Sequence, residues 1–456
     1  MNLLRFGAIA VASVLMAGAA HADTFSLSDA LATAYATNPQ LDAERANLRA
    51  TDENVAKANA GWRPSVNAQG SYSIEHYEIT QGALHGTSNS HPLQGQVTVD
   101  QPILRGGQTY AGIRRAKALV RAGRAQLQDT EQTVLLNAVS AYMNVVRDTA
   151  IVNLRQSNVD VLQKQFNATD LQFNVGELTR TDVAQSQARL SGAQADLTAA
   201  QGQLAISRAN FEQVIGRPAE TLNDEPPLPQ TPASEDDVLN LALRGNPQLI
   251  AAREAERAAD FAVDGSVGAL LPQLSVRGQY GWSRSNNFGI PGSNPVGSVK
   301  ATAIIAQLTI PIYQGGADEA NVRQAKQLHS QAQLNAVYAE RQVREAVRSA
   351  WEAYQSARAT IVSNEKQVKA NKLAFEGVRK EQQVGARTIL DVLNAQQEFL
   401  NSEVAVVSSR RNTVVAAYQL LAAAGELTAK DLGLKVTLYD PNAYYDDNAA
   451  RWFGFN

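Results

Sequence analysis

The chain has 456 residues, a net charge of −3 and no cysteine. The mild acidity argues against a general nucleic-acid binder, and the missing cysteines exclude disulfides and cysteine-based metal sites. Aromatics make up only 6% of the residues while Ala and Gln abound, a balance that suits long helical coils better than a dense globular core.

Residues 1–22 read as a targeting segment. Arg5 supplies the positive start, Ala8 to Ala19 an apolar stretch too short to span a bilayer comfortably, and Ala20-His21-Ala22 a cleavage signal. The processed chain would begin at Asp23, and losing Arg5 takes its charge from −3 to −4. No later run of apolar residues is long enough for a membrane helix, so any later crossing must be a β-barrel.

Residues 27–60 read as one helix, capped by Ser26 or Ser28 and stopped by Pro64. A strand follows over 65–75, with Val66, Ala68, Gly70, Tyr72 and Ile74 on one face and Ser65, Asn67, Gln69, Ser71 and Ser73 on the other. A Gly/Ser/Asn/His loop over about 80–92 leads to a second alternating strand. There Leu93, Val97 and Val99 oppose Gln94, Gln96, Thr98 and Asp100. Residues 273–283 and 301–312 repeat the pattern around a loop at 285–298. Strands of about ten residues with one apolar face suit a membrane-spanning barrel; a soluble, half-buried hairpin is the alternative. Tyr72, Tyr280 and Trp282 read as membrane-interface aromatics or as ordinary strand packing.

Residues 108–173 form a proline-free helical run that would rise roughly 100 Å. Apolar residues recur every seventh position at Ile113, Val120, Leu127, Val134 and Ala141. The row then moves to Val145, Val152, Val159, Phe166 and Phe173, so coiled-coil packing with a change of partner partway down is expected. A Val175-Gly176 turn and a helix over 178–216 complete the unit. Together the short helices 27–60 and 178–216 match the long one, so they can run end to end beside it.

The whole unit recurs. Asp29, Asn38-Pro39-Gln40, Pro64 and Tyr72 reappear 208 residues later at Asp237, Asn246-Pro247-Gln248, Pro272 and Tyr280. The offset then becomes 209, relating Pro102 to Pro311, Gly106-Gly107 to Gly315-Gly316, Tyr142 to Trp351, Val175-Gly176 to Val384-Gly385 and Asp182-Val183 to Asp391-Val392. The expected division is 23–223, a Pro-rich linker at 224–235, a second repeat over 236–425 with helices near 237–269, 316–383 and 389–424, and a tail at 426–456 outside the repeat. One chain then offers four strands, too few to close a barrel, so an oligomer is expected.

The five histidines form no metal cluster, and His85 and His91 read as solvated loop residues. There is no Gly-rich phosphate loop, nucleophile elbow or catalytic carboxylate pair, so a non-enzyme without cofactor or metal is expected.

The signal segment, the repeated helix–hairpin–long helix unit and the VGxxTxxDV motif at both tips resemble the TolC family of outer-membrane efflux channels, over nearly all of the chain up to about residue 425. The resemblance implies a mainly α fold with a β-barrel part: a homotrimer with a 12-strand outer-membrane barrel above a periplasmic α-barrel of coiled helices. It implies a passive duct for drug efflux or type I protein secretion, working with a periplasmic adaptor and an inner-membrane transporter. The alternative is a structural coiled-coil protein without transport activity.

By the same resemblance, Asp391 rings the periplasmic entrance and Asn394 stands where relatives carry a second Asp. Arg387 ties the inner helix pair to Thr181 and Asp182, and Gln382 replaces a Tyr of that latch. Val175, Gly176, Val384 and Gly385 form the tips on which the adaptor docks. Carboxylates about 6 Å apart in such a ring repel by roughly 3 kcal/mol at an effective dielectric near 20, which raises their pKa and attracts cations. The acids also suit a helix first turn, favoured by the dipole.

Overall fold

The proline-free runs become unbroken helices and the alternating segments become one antiparallel sheet. The computed structural model describes residues 25–81, 84–223, 226–285, 287–288 and 297–454. The targeting segment, the middle of the 285–298 loop and part of the linker lie outside these residues.

The first expected helix is two, α1 (Leu27–Thr37) and α2 (Pro39–Asn59), and its repeat likewise gives α5 (Glu235–Gly245) and α6 (Pro247–Gly268). The reason is the Asn-Pro pair. Proline has no N–H to donate and disfavours helical geometry in the residue before it. Asn38 therefore turns extended, and its side chain caps α2 through the Gln40 N–H (2.9 Å). Its amide also donates to the Val214 carbonyl, pinning the break to the end of the helix over Arg180–Ile215. Ser26 caps α1 in a full capping box with Asp29.

The long helices α3 (Gln108–Asn174) and α7 (Ala317–Gln383) have 67 residues each. Each is followed by a tip and a 36-residue helix, α4 (Arg180–Ile215) and α8 (Ile389–Ala424). The expected partner change along α3 is present. Its upper half packs on α2 and α6, with Arg121 bonded to Glu254 (2.7 Å) and Arg114 over the Phe261 ring. Its lower half packs on α4 and α8, with Arg155 bonded to Asp196.

Four strands, β1 (Ser65–Tyr72), β4 (Leu93–Arg105), β5 (Gln273–Ser285) and β7 (Gly297–Thr309), form a sheet in the order β1-β4-β5-β7. The registers put Val66 opposite Val99, Gly278 opposite Val99 and Ile304 opposite Gly278, so the alternating apolar positions of β1, β4 and β5 share one face with Ile304 and Leu308 of β7, while Val299 and Ile305 of β7 lie on the opposite face. Asn67, Thr98, Gln279 and Ala303 line the other. The last strand runs 297–309 rather than 301–312, because Pro311 cannot continue the ladder. Pro102 is tolerated inside β4 at a β-bulge, where the register shifts between Pro102 and Leu104.

The expected 80–92 loop is instead a β-ribbon, β2 (Glu75–Gln81) with β3 (Leu84–Ser90), joined by the short β6 (Asn287–Phe288). Backbone pairing does not need an apolar face, so a polar composition concealed these strands. His91 is exposed, as expected, and its ring stacks on Tyr72.

Strand order and helix order agree. Across the helical layer the columns are α2 with α4, then α3, then α6 with α8, then α7. Each strand of the sheet continues into the helix of the same column. Gly107 and Gly316 (φ 85° and 80°) make the turns from sheet to helix. No helix among the described residues is long and apolar enough to cross a membrane.

The main core lies at mid-height, where Val134, Leu135, Ala138, Val139 and Tyr142 of α3 meet α1, Phe211 and Ile215. The fully buried Tyr142 hydroxyl lies 2.8 Å from the Phe25 carbonyl and 2.9 Å from that of Asn223. The tail belongs to this body. Leu427 and Ala429 enter the core, and a short α9 (Ala443–Asn448) lies on α2.

Candidate functional site

The two tips are built from one local recipe. A Val leaves the helix, and the following Gly takes a left-handed conformation, φ 83° at Gly176 and 78° at Gly385. Its N–H donates back to Phe173 or Gln382, and the next N–H to Gln172 or Glu381, all at 2.9 Å. A capping box then starts the returning helix. Asp182 accepts from the Thr179 N–H (2.9 Å) and hydroxyl (2.7 Å), and Asp391 accepts from Thr388 in the same way (3.0 and 2.8 Å). Thr–x–x–Asp spacing therefore explains both acids as caps. Within the single chain these bonds hold both carboxyls below the ordinary carboxylate range. Both acids are charged at neutral pH.

Val175 and Val384 are 72% and 81% exposed at the two extremities. Apolar side chains this bare, beside glycines with no side chain, present a small dry knob and a cleft.

Within the chain, Arg387 is not brought to Thr181 or Asp182. Its Nε donates to Glu381 of its own hairpin (3.0 Å), in a half-exposed pair. Such a surface pair is worth about 0–1 kcal/mol. Thr181 is exposed and Asp182 is held by its cap. Asn394 is exposed too, and its side-chain oxygen accepts from Arg189 of α4 (2.9 Å).

That bond belongs to a set the sequence reading missed. The outer helix pair α3–α4 and the inner pair α7–α8 are tied by a small apolar layer of Leu162, Leu190, Ala193, Ile389 and Leu393. Polar bridges flank it: Gln396 to Asn158 (2.7 Å, both buried), Arg189 to Asn394, and Arg411 to Asn144 (3.0 Å). Burial pushes the Arg411 pKa down without discharging it. The available signal was a polar residue interrupting an apolar stripe, as Asn158 does beside Val159. Pair identity was not readable, because the partners lie over two hundred residues away.

A neutral buried pair adds about 1 kcal/mol net, but losing one partner costs roughly 1–3 kcal/mol. Such bridges fix register while leaving the two pairs separable. The arrangement offers no acid–base pair aimed at a shared substrate position. It offers instead two helical pairs that end in a ring-ready acid and two exposed tips.

The comparisons agree with this geometry. The sequence matches the outer membrane efflux protein family over residues 30–217 and again over 238–426, one match for each repeat. It is 35% identical over 450 residues to the outer membrane efflux protein BepC of Brucella suis biovar 1 (strain 1330), covering 98% of this chain and 96% of that one. It is 24% identical over 429 residues to the outer membrane protein TolC of Escherichia coli (strain K12), covering 91% and 85%. The fold superposes on the outer-membrane channel OprN with a TM-score of 0.75 at 20% identity, covering 88% of this chain and 89% of that chain. A repeated helix–sheet–helix unit, a lipid-ready sheet face and these matches lead to one conclusion: the chain belongs to the outer membrane efflux protein family.

Proposed function

We propose that this outer-membrane efflux channel works as a homotrimer, in which twelve strands close a barrel in the lipid and the helices continue as a duct through the periplasm. The observation that supports closure by rotation is the matched pair of open edges; the number three follows from the resemblance to the family's channels. β1 and α2–α4 stand at one side of the chain, β7 and α7 at the other, and among the described residues no further strand or long helix lies beyond either side. An unpaired strand edge is not viable in hydrocarbon. One rotation that pairs β7 with the next β1 also sets α7 against the next α2–α4. The processed chain begins at Asp23, and 23–223 and 236–425 act as equivalent halves joined by the linker.

In the trimer three Asp391 side chains approach one axis, and the tips at Val175-Gly176 and Val384-Gly385 receive a periplasmic adaptor. Energy comes from an inner-membrane transporter, since the chain carries no nucleotide-binding motif. Opening moves the inner pair α7–α8 away from α3–α4. Within its own chain Arg387 holds an exposed ion pair with Glu381 and lies close enough to Asp391 to favour its charged form, so its exposed side chain is available to a neighbouring protomer.

The test is single-channel conductance of the processed protein in a planar bilayer. The wild type gives small cation-selective currents, Asp391→Asn reduces the selectivity, and Arg387→Ser raises resting conductance. Unchanged currents in both variants would remove the gate, and silent membranes in all three would favour the structural alternative.

A further inference from the structure

We infer that the C-terminal tail is a membrane anchor, whose Trp452 and Phe453 seat among phospholipid headgroups of the periplasmic leaflet at the foot of the barrel. This rests on the outer-membrane placement of the sheet proposed above.

The tail has a direction. After the core residues Leu427 and Ala429 it takes its contacts from successively later residues of the first half. The Tyr439 N–H donates to the Tyr35 hydroxyl, and Arg45 lies between the Tyr35 and Tyr439 rings. The Tyr444 hydroxyl donates to Glu53 (2.8 Å), Asn59 donates to the Ala449 carbonyl (2.8 Å), and Arg63 donates to the carbonyls of Ala450 and Arg451. From residue 45 to residue 59 along α2 is a climb of about 21 Å. The tail therefore runs along α2 toward the sheet and reaches the level where β1 begins, at Ser65.

At that level its last side chains turn outward. Trp452 is 64% and Phe453 89% exposed, and the Arg63 guanidinium lies 4.9 Å from the Trp452 ring centre. Trp62, also exposed, stands beside Arg63, and its carbonyl accepts from Gln101 of β4. Two tryptophans, a phenylalanine and an arginine thus gather at one end of the lipid-facing strands. Trp prefers the membrane–water boundary, where an apolar ring meets a polar edge, and Arg beside it suits phosphate. Water alone leaves the Phe453 ring unsatisfied. The alternating strand with its apolar residues, Val66 first, begins at the same level, which favours lipid over a soluble partner.

The experiment uses the full chain with its four tryptophans reduced to one. Changing Trp62, Trp282 and Trp351 to Phe leaves Trp452 as reporter. A second variant keeps only Trp282, which faces with Tyr280 and Val97 in the sheet. Both are reconstituted in phosphatidylcholine vesicles with plain or brominated acyl chains. The anchor requires brominated lipid to remove about half of the Trp452 emission, as for an interfacial ring, with little quenching by aqueous acrylamide. Quenching of Trp452 by acrylamide alone overturns the anchor while a quenched Trp282 keeps the membrane placement. Protection of Trp452 from both quenchers assigns it to a protomer contact and also overturns the anchor. If brominated lipid quenches neither reporter, the membrane placement itself fails.

Discussion

The two long helices have the same length, the same double-glycine start and the same Val-Gly end, yet they live in different surroundings. α3 buries twenty residues and α7 four. α3 is an inner column with neighbours on both sides, whereas α7 is an edge column with α5, α6 and α8 on one side only. The sequence follows this division residue by residue. Val343, Val347 and Tyr354 of α7 are buried and stand 209 positions after Val134, Ala138 and Val145, which are buried in α3. By contrast Leu135 and Val139, buried in α3, become Arg344 and Arg348 in α7, paired with Glu340 and Glu235. The repeat thus keeps one apolar stripe in both helices and exchanges the second for charge, with Arg348 paired across to α5 and Arg344 paired along α7 itself. Higher and lower on α7, exposed Leu334, Tyr338 and Leu373 await a neighbour.

The largest test of this contrast is Leu135→Ala against Leu334→Asp with Tyr338→Asp. The first empties a fully buried site and costs about 2–5 kcal/mol, read as a lower unfolding midpoint. The second leaves helix content intact and abolishes the trimer in light scattering. Equal unfolding by both changes would refute the assignment of α7's open face to assembly.

Asn158→Ala leaves the buried Gln396 amide without its partner and costs roughly 1–3 kcal/mol. The equivalent change in α7, Gln367→Ala, removes an exposed side chain and stays within about 0.5 kcal/mol. Chemical denaturation of the two variants side by side would blur the inner-versus-edge distinction if their midpoints moved together.

Asp52 offers a pH version of the same comparison. It is 2% exposed with no hydrogen-bond partner on either oxygen, and burial raises its pKa to about 6 against the pull of Arg124. An acid whose folded pKa is raised is favoured protonated, so its penalty is absent below its ordinary value of 3.8, grows with rising pH and is complete above about 6. Discounted for solvent reach, that penalty is roughly 1–2 kcal/mol. Asp52→Asn therefore stabilises the protein at pH 7 and flattens its melting profile between pH 4 and 6, a window taken from those two values. The repeat counterpart, Asp260, is about half exposed near His329. A pH profile that keeps its slope in Asp52→Asn would exclude this group as the cause.

The smallest effects separate capping from pore chemistry. Thr179→Ala and Thr388→Ala each remove one cap and cost about 1 kcal/mol, equally at both tips. Asp182→Asn and Asp391→Asn perturb equivalent caps, so a selectivity change confined to Asp391→Asn isolates its place on the axis. Loss of selectivity in both would point to tip distortion.

The sequence alone determined what depends on near neighbours and on the two periods. Prolines, glycines and Thr–x–x–Asp boxes bound the elements, the period of two defined the sheet face, and the 208-residue offset joined the halves. The family resemblance, and with it the channel reading, came from the same residues. Where local signals conflicted, the boundaries slipped: Asn38-Pro39 split a helix read as continuous, and polar β2 and β3 read as loop because a ladder of backbone bonds needs no apolar face. Only the tertiary structure decided that Arg189 meets Asn394, that Asn158 meets Gln396, that Arg387 stays with Glu381 in its own hairpin, and that the tail climbs α2. Those pairings join residues far apart in the chain, and their choice depends on which column stands beside which. Periodicity states that a helix has a sticky face; it does not state who covers it, and at α7 the chain itself leaves that face open.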